Sequence, residues 1–408
     1  MASFKNTLIL LLSLSFCSIA YSNPIEITNC QQLNDIPPAE GDYVIVNDID
    51  CSGHTYTTIT GVFKGTLDGN GHTISNLTIN KKIGGNASAL FEGIGGVSIA
   101  NIVFENVVIP VNYDGSRGDH GLIAGAVFFY GINNIANIEV RGLKIGEPLS
   151  SGYTGGIVGR IPGATLNLSN IHIEGITLRN NYGSAGGLIG QTGGSAQINI
   201  ENSSVTSLAT FGAGHKCNYI YPAKPPSHGE PGRPEYDHFY DRCAFGGFIG
   251  DVQGGKISIK ESFATGSISN IQFTGGLIGL AGQAPSGTID IVDSYAQVAV
   301  NSASQYAGGL IGGALAGTIN LANVYAAAPV KSQSSAGGIV GSLINSALLA
   351  TESYYDKQIT GTNNSGDFYS IGLNTSQMKA GPQNPAFVFG NWNQEIWDFQ
   401  QGYYPTRP

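Results

Sequence analysis

Residues 306–330 read YAGGLIGGALAGTINLANVYAAAPV. The run carries no charged side chain, and a glycine cluster leads into a short apolar alternation. Alone it would suit a phosphate-binding loop, a membrane segment or a structural repeat. Its copies decide between them. Gly-Gly-apolar-(Ile/Val)-Gly recurs as GGIVG at 155, GGLIG at 186, GGFIG at 246, GGLIG at 275 and 308, and GGIVG at 337. Degenerate copies are GLIAG at 121 and ALFEG at 89. The apolar residues after the glycines are Leu90, Leu122, Ile157, Leu188, Phe248, Leu277, Leu310 and Ile339. They are spaced by 29 to 35 residues, except for one doubled step from 188 to 248. A fixed period of this size is the mark of a repeat architecture.

A second motif keeps the same time. Each glycine cluster is followed by apolar-x-apolar-x-polar, as in LNLSN, INIEN, ISIKE, IDIVD and INLAN. The alternation is the period-2 pattern of a strand. Its last residue forms a column: Asn101, Asn137, Asn170, Asn202, Glu261, Asp293 and Asn323, with Asn76 read as its N-terminal extension. Short strands set by glycine and Asn turns predict a β-solenoid of about 8–10 coils, with equivalent strands paired in parallel about 4.8 Å apart. Stacked Ile and Leu would fill its interior, and stacked Asn amides would bond from coil to coil. A propeller blade needs about 40 or more residues for its four strands, more than these repeats supply.

The repeats resemble the GLUG motif of bacterial secreted and surface proteins. The likeness rests on GGLIG recurring near 30 residues with DSYAQVAV- and ESFATGSI-like segments after it. The opening YVIVNDIDCSG…FKGTLDGNGHTISNLTI and the ending GLNTSQMKAG…W…YYP resemble the flanks of such arrays. The resemblance covers nearly all of the chain after its first segment. It implies a right-handed parallel β-helix in an adhesin-like protein, and no reaction, because the motif is structural. Some relatives carry a metallopeptidase domain, and nothing in this sequence matches one.

The 408 residues carry 19 Lys and Arg against 28 Asp and Glu. Residues 1–22, MASFKNTLILLLSLSFCSIAYS, have the basic, apolar and small-residue order of a secretory signal peptide. Its removal takes one lysine and no acid, leaving 18 − 28 = −10. An acidic chain without basic clusters argues against nucleic acid, whose binding rests on phosphate neutralisation. No later stretch has the roughly 18 apolar residues of a membrane span. A secreted or cell-surface monomer without an integral membrane segment is expected. Four cysteines remain, Cys30, Cys51, Cys217 and Cys243, an even number that suggests two disulfides in an oxidising compartment. Three pairings are possible. Cys30–Cys51 with Cys217–Cys243 is preferred because each pair brackets a discrete segment.

The expected organisation is an N-terminal cap at 23–60, repeats over 61–355, and a C-terminal cap at 356–408 whose Trp392, Trp397 and neighbouring aromatics plug the last coil. The doubled step holds an inserted loop, 212–244, rich in aromatic and charged residues and flanked by cysteines. Long loops on repeat scaffolds tend to carry function. Tyr219, Tyr221, Arg233, Tyr236, His238 and Tyr240 are therefore the candidate binding residues, with a cell-surface glycan or protein as partner.

No catalytic residue, metal site or cofactor is assigned. Zinc-peptidase and nucleophile-elbow motifs do not occur, and His215, His228 and His238 lack metal-ligand spacing. GDVQGGK at 250–256 resembles the start of a phosphate loop, but Ile257 stands in the Ser/Thr place and the segment aligns with repeat turns. The Arg-Gly-Asp triplet at 117–119 is too short a match to carry weight. The best acidic clusters are Asp48 with Asp50, and Asp114 with Arg117, Asp119 and His120. Asp48, Asp50 and the turn Asp68–His72 read as turn and capping residues. A polysaccharide lyase or hydrolase is the alternative function. It requires such acids and Arg117 to meet in one groove of the coil.

Overall fold

A computed structural model describes residues 23–82, 85–110, 118–146, 152–180, 183–211, 243–270, 272–282, 284 and 286–407. The chain winds as a β-solenoid of about eight coils, and every ladder between strands of neighbouring coils is parallel. The coil that opened the sequence reading illustrates the rest. Tyr306–Gly308 forms a short strand, the chain turns through 309–310, and Ile311–Ala314 follows. After a corner, Gly317–Ala326 runs on and bends at Asn323, and Val330–Ser332 completes the coil. Strands equivalent to Tyr306–Gly308 form their own eight-stranded sheet, one strand per coil. The other strands join one continuous sheet around the remaining sides.

The alternation read as Ile-x-Ile places both apolar residues inside and in register. Ile198, Ile257, Ile289 and Ile319 pair in succession, as do Ile200, Ile259, Ile291 and Leu321, and all are buried. Each glycine of the cluster has a steric cause, shown by the copy at 275–279. A Cβ on Gly275 would lie 1.9 Å from the Ile278 carbonyl oxygen, and one on Gly276 would lie 2.0 Å from that of Gly309 in the next coil. A Cβ on Gly279 would lie 2.5 Å from the Phe245 backbone nitrogen. The turn is thus too tight, and the two sheets too close, for any side chain.

The Asn column lies at left-handed backbone positions, with φ between 46° and 60° from Asn101 to Asn323, and continues to Glu352 at 50°. Short polar side chains tolerate this conformation best after glycine. Asn137, Asn170 and Asn202 each donate Nδ2–H to the Oδ1 of the Asn one coil earlier, at 2.8 Å. The N-terminal end differs from the expectation. Asn101 donates to Asp68, whereas Asn76 belongs to a second ladder, Asp50–Asn76–Asn106, at the next bend of the coil. A third ladder, Asn134–Asn167–Asn199, runs along the straight part of the strands.

Residues 25–57 extend the parallel stack at the N-terminal end. The helix Cys30–Asn34, capped by Asn29, is tied there by the Cys30–Cys51 disulfide. At the other end the chain folds back along the solenoid. Phe263, Tyr295, Tyr325 and Tyr354 stack on one outer face of four successive coils. Trp392, Trp397, Phe389 and Met378 bury this face, with Trp397 Nε1 donating to Asp293 and Arg407 pairing with Glu261. The C-terminal aromatics therefore cover a flank, well beyond the last coil alone.

Candidate functional site

Coil length varies mainly at one corner, where the chain leaves the long sheet and enters the eight-stranded sheet. The chain crosses it between Ile109 and Gly118, Ile145 and Gly152, Arg179 and Ala185, and Phe211 and Ala244. In later coils the crossing shrinks to Asn270–Phe273, Ser302–Tyr306 and Ser332–Ser335. The doubled sequence step is thus the longest of several excursions at this place. Tyr219, Tyr221, Arg233, Tyr236, His238, Tyr240 and Cys217 lie outside the described residues, as do Asp114 and Arg117. Cys243, where the described chain resumes, is buried and disulfide-bonded.

Beside this corner two outward-facing columns of side chains meet. One is set by the eight-stranded sheet: Asp119 pairs with Tyr153, Ser184 and Ala244 take the next places, and Phe273 and Tyr306 follow. The other is the residue just after each glycine cluster: Ala126, Arg160, Gln191, Asp251, Leu280 and Gly313. The columns face each other because the turn between them is sharp. In the later coils their meeting is apolar, with Ala244, Phe273 and Leu280 in one buried cluster. In the earlier coils it is polar. Asp119, Tyr153 and Arg160 are half-buried, over a floor of buried Gln191 and Asp251.

The Arg160 guanidinium lies over the Tyr153 ring at 5.4 Å, a cation–π contact. Gln191 Nε2 donates to Asp251 Oδ2 at 3.0 Å. Among the described residues three polar groups here have no hydrogen-bond partner. Arg160 Nε and Gln191 Oε1 are buried without a hydrogen bond, and no described hydrogen bond reaches the Asp119 carboxyl. Each such buried group costs about 1–3 kcal/mol. Burial raises the Asp119 pKa to about 6, against the lowering effect of Arg160.

Asp48 and Asp50 are structural. Asp48 accepts from Thr73 N–H and stands 3.2 Å from His72 Nδ1, and both contacts hold its pKa low. Asp50, held at about 2 by Asn76 and Ser52, caps a turn and ends an Asn ladder. His120 is buried in the strand beside Asp119. Asp119 and Asp251 stand three coils apart, about 14 Å along the axis. Paired glycosidase carboxyls need about 5–10 Å, so these two do not form such a pair. Among the described residues no cluster of His, Cys, Asp and Glu suits a metal ion, and no helix is long and apolar enough to cross a membrane.

Composition and periodicity pointed to none of Tyr153, Arg160, Gln191 and Asp251. A signal was nevertheless present. Aligning the glycine clusters puts Arg, Gln and Asp in one column on three successive copies, where later copies carry Leu, Gly and Ser.

No family model matches the chain, and no match was found among curated proteins. A solved structure described as a "putative immunoglobulin A1 protease" from Bacteroides ovatus aligns over 94% of this chain and 92% of its own, at 16% identity and a TM-score of 0.42. A likeness at that level carries no argument about chemistry.

Proposed function

We propose that the protein is a secreted or surface-associated, non-catalytic β-solenoid of GLUG-repeat type that binds a glycan or protein on a cell surface. The observation that carries the reading is the confinement of the long excursions to one corner, beside the only polar stretch of the facing columns among the described residues. Repeat scaffolds commonly place binding loops on one face in this way. The Cys30–Cys51 disulfide and the signal-like residues 1–22 fit an oxidising destination. The loop 212–244, with Tyr219, Tyr221, Arg233, Tyr236, His238 and Tyr240, supplies the recognition element. Tyrosines give large contact area at low entropy cost.

The test is a screen of glycans and host-cell proteins with the purified protein, run beside a deletion of residues 217–243. That deletion removes both cysteines together and leaves no free thiol. The expected result is a solenoid with an unchanged β-type circular dichroism spectrum that no longer attaches. Unchanged attachment by the deletion overturns the loop's role.

A further inference from the structure

The two ends of the solenoid differ in chemistry. Six of the twelve large apolar side chains left exposed among the described residues fall between 344 and 371, on the last coil and the segment that closes it. Ile25 is the only one at the other end. The closing segment begins with the short helix Lys357–Thr360 and lies on the last coil, where the Ile339 and Val340 N–H groups donate to the Ser365 carbonyl. It finishes in the strand Ile371–Leu373. Among the described residues that strand pairs with Tyr354–Asp356 alone, so its far edge offers backbone groups to another strand. Phe368 is 98% exposed, Tyr369 53% and Ile371 54%, and Ile359 stands exposed on the adjoining helix. In register Ile371 continues the outer column of Tyr295, Tyr325 and Tyr354, yet unlike them it is uncovered.

Apolar exposure on this scale marks a contact surface, and charge indicates its partner. The chain is acidic, with 19 Lys and Arg against 28 Asp and Glu, so two copies repel in most orientations. Residues 358–373 carry one charge, Asp367, which is half-buried and accepts from the Tyr369 and Ser370 N–H groups. Here two copies meet without repulsion. The N-terminal end is a poor mate for this surface. Residues 23–63 hold six acids and no Lys or Arg, and Gln31, Gln32, Asp35, Pro37 and Pro38 are exposed there. The end that suits the C-terminal end is therefore its own copy. In a two-fold contact the same patch serves both chains, and the two edge strands run antiparallel.

We propose that the C-terminal end is a homodimer interface at which two solenoids meet tail to tail about a two-fold axis. Ile371–Leu373 lies antiparallel to its copy, and Phe368, Tyr369, Ile371 and Ile359 of the two chains bury one another. At about 150–250 Å² for a whole aromatic side chain, Phe368 and Tyr369 supply about 200–400 Å² of the roughly 800 Å² that each partner of a standard interface buries. The dimer is accordingly reversible, and it replaces the monomer expected from the sequence. The interface does not depend on the recognition reading; it gives each particle two recognition corners, one on each rod.

Sedimentation velocity of the full-length protein over a concentration series, at low and high salt, reads the association. A monomer–dimer equilibrium that high salt does not weaken is expected, with no larger species. Phe368→Asp and Ile371→Glu place like charges on both sides of the two-fold axis, and each is expected to raise the dissociation constant at least 10-fold. Phe129→Asp, at an exposed position on an earlier coil, is the control and should dimerise as the parent does. Hydrogen–deuterium exchange of the unaltered protein, above and below the dissociation constant, decides the matter if a variant fails to fold. Added protection is expected in 357–373 and not in 25–35. A protein that stays monomeric up to about 1 mM overturns the proposal. So does growth beyond the dimer, protection of the N-terminal end, or a dimer that both variants leave unchanged.

Discussion

Replacing Asn170 separates the two contributions that hold the coils in register. Its backbone sits at φ 55°, its Nδ2 donates to Asn137 Oδ1, and its Oδ1 accepts from Asn202 Nδ2, both at 2.8 Å. Asn170→Ala removes two side-chain bonds, each about 0.5–1.5 kcal/mol net. It also forces a Cβ-bearing residue without a compensating amide into the left-handed region, at about 1–2 kcal/mol. The sum is a loss of about 2–5 kcal/mol. Asn170→Gly loses the same bonds but keeps the backbone conformation without strain, at about 1–3 kcal/mol. Urea unfolding followed by far-UV circular dichroism reads the series. Coils contact only their neighbours, so Trp fluorescence from the distant C-terminal cluster reports whether the loss spreads. Equal midpoints for the Ala and Gly variants would refute the backbone argument, and both lying within about 0.5 kcal/mol of the parent would refute the ladder.

Other perturbations bear on the same account. The raised pKa of Asp119 means that its neutral form is the one the fold prefers. Its contribution to stability is therefore complete below about pH 4 and lost as pH rises through about 6. Asp119→Asn should gain up to about 3 kcal/mol at pH 7.5 and nothing at pH 3.5; a difference that ignores pH, read from urea midpoints, would contradict this. Opening the Cys30–Cys51 bridge, 21 residues apart, by replacing both cysteines with serine should cost about 3 kcal/mol, with early urea-induced loss of protection in the N-terminal strands by hydrogen exchange. Gly276→Ala should lower the melting temperature markedly or prevent soluble expression, since its Cβ meets the Gly309 carbonyl. Gly194→Ala, with open space around it, is the control and should melt as the parent does.

The fold was legible because its determinants are local and repeated. Glycine clusters mark tight turns, Ile-x-Ile marks a strand with one face inside, and Asn at a fixed phase marks a left-handed bend. Where a feature depends on which columns face each other, a linear reading falls short. Arg160, Gln191 and Asp251 are 31 and 60 residues apart and become neighbours only through the parallel register. Their meeting with Asp119 and Tyr153 follows from a turn whose sharpness the glycines permit without revealing its direction. The same holds for Asn76, which shares a motif with Asn101 yet stacks at a different bend. The C-terminal segment reaches back to Glu261 through Arg407, a contact with no periodic signal at all.

Hydrogen–deuterium exchange of the full-length protein, with and without the glycan or protein captured in the screen, tests the central claim most directly. Binding at the variable corner predicts added protection in Gly118–His120, Gly152–Gly155 and Val158–Ile161, the strands that carry Asp119, Tyr153 and Arg160. Protection confined to the exposed aromatics Phe129 and Tyr130, or to the C-terminal segment 374–407, would contradict it.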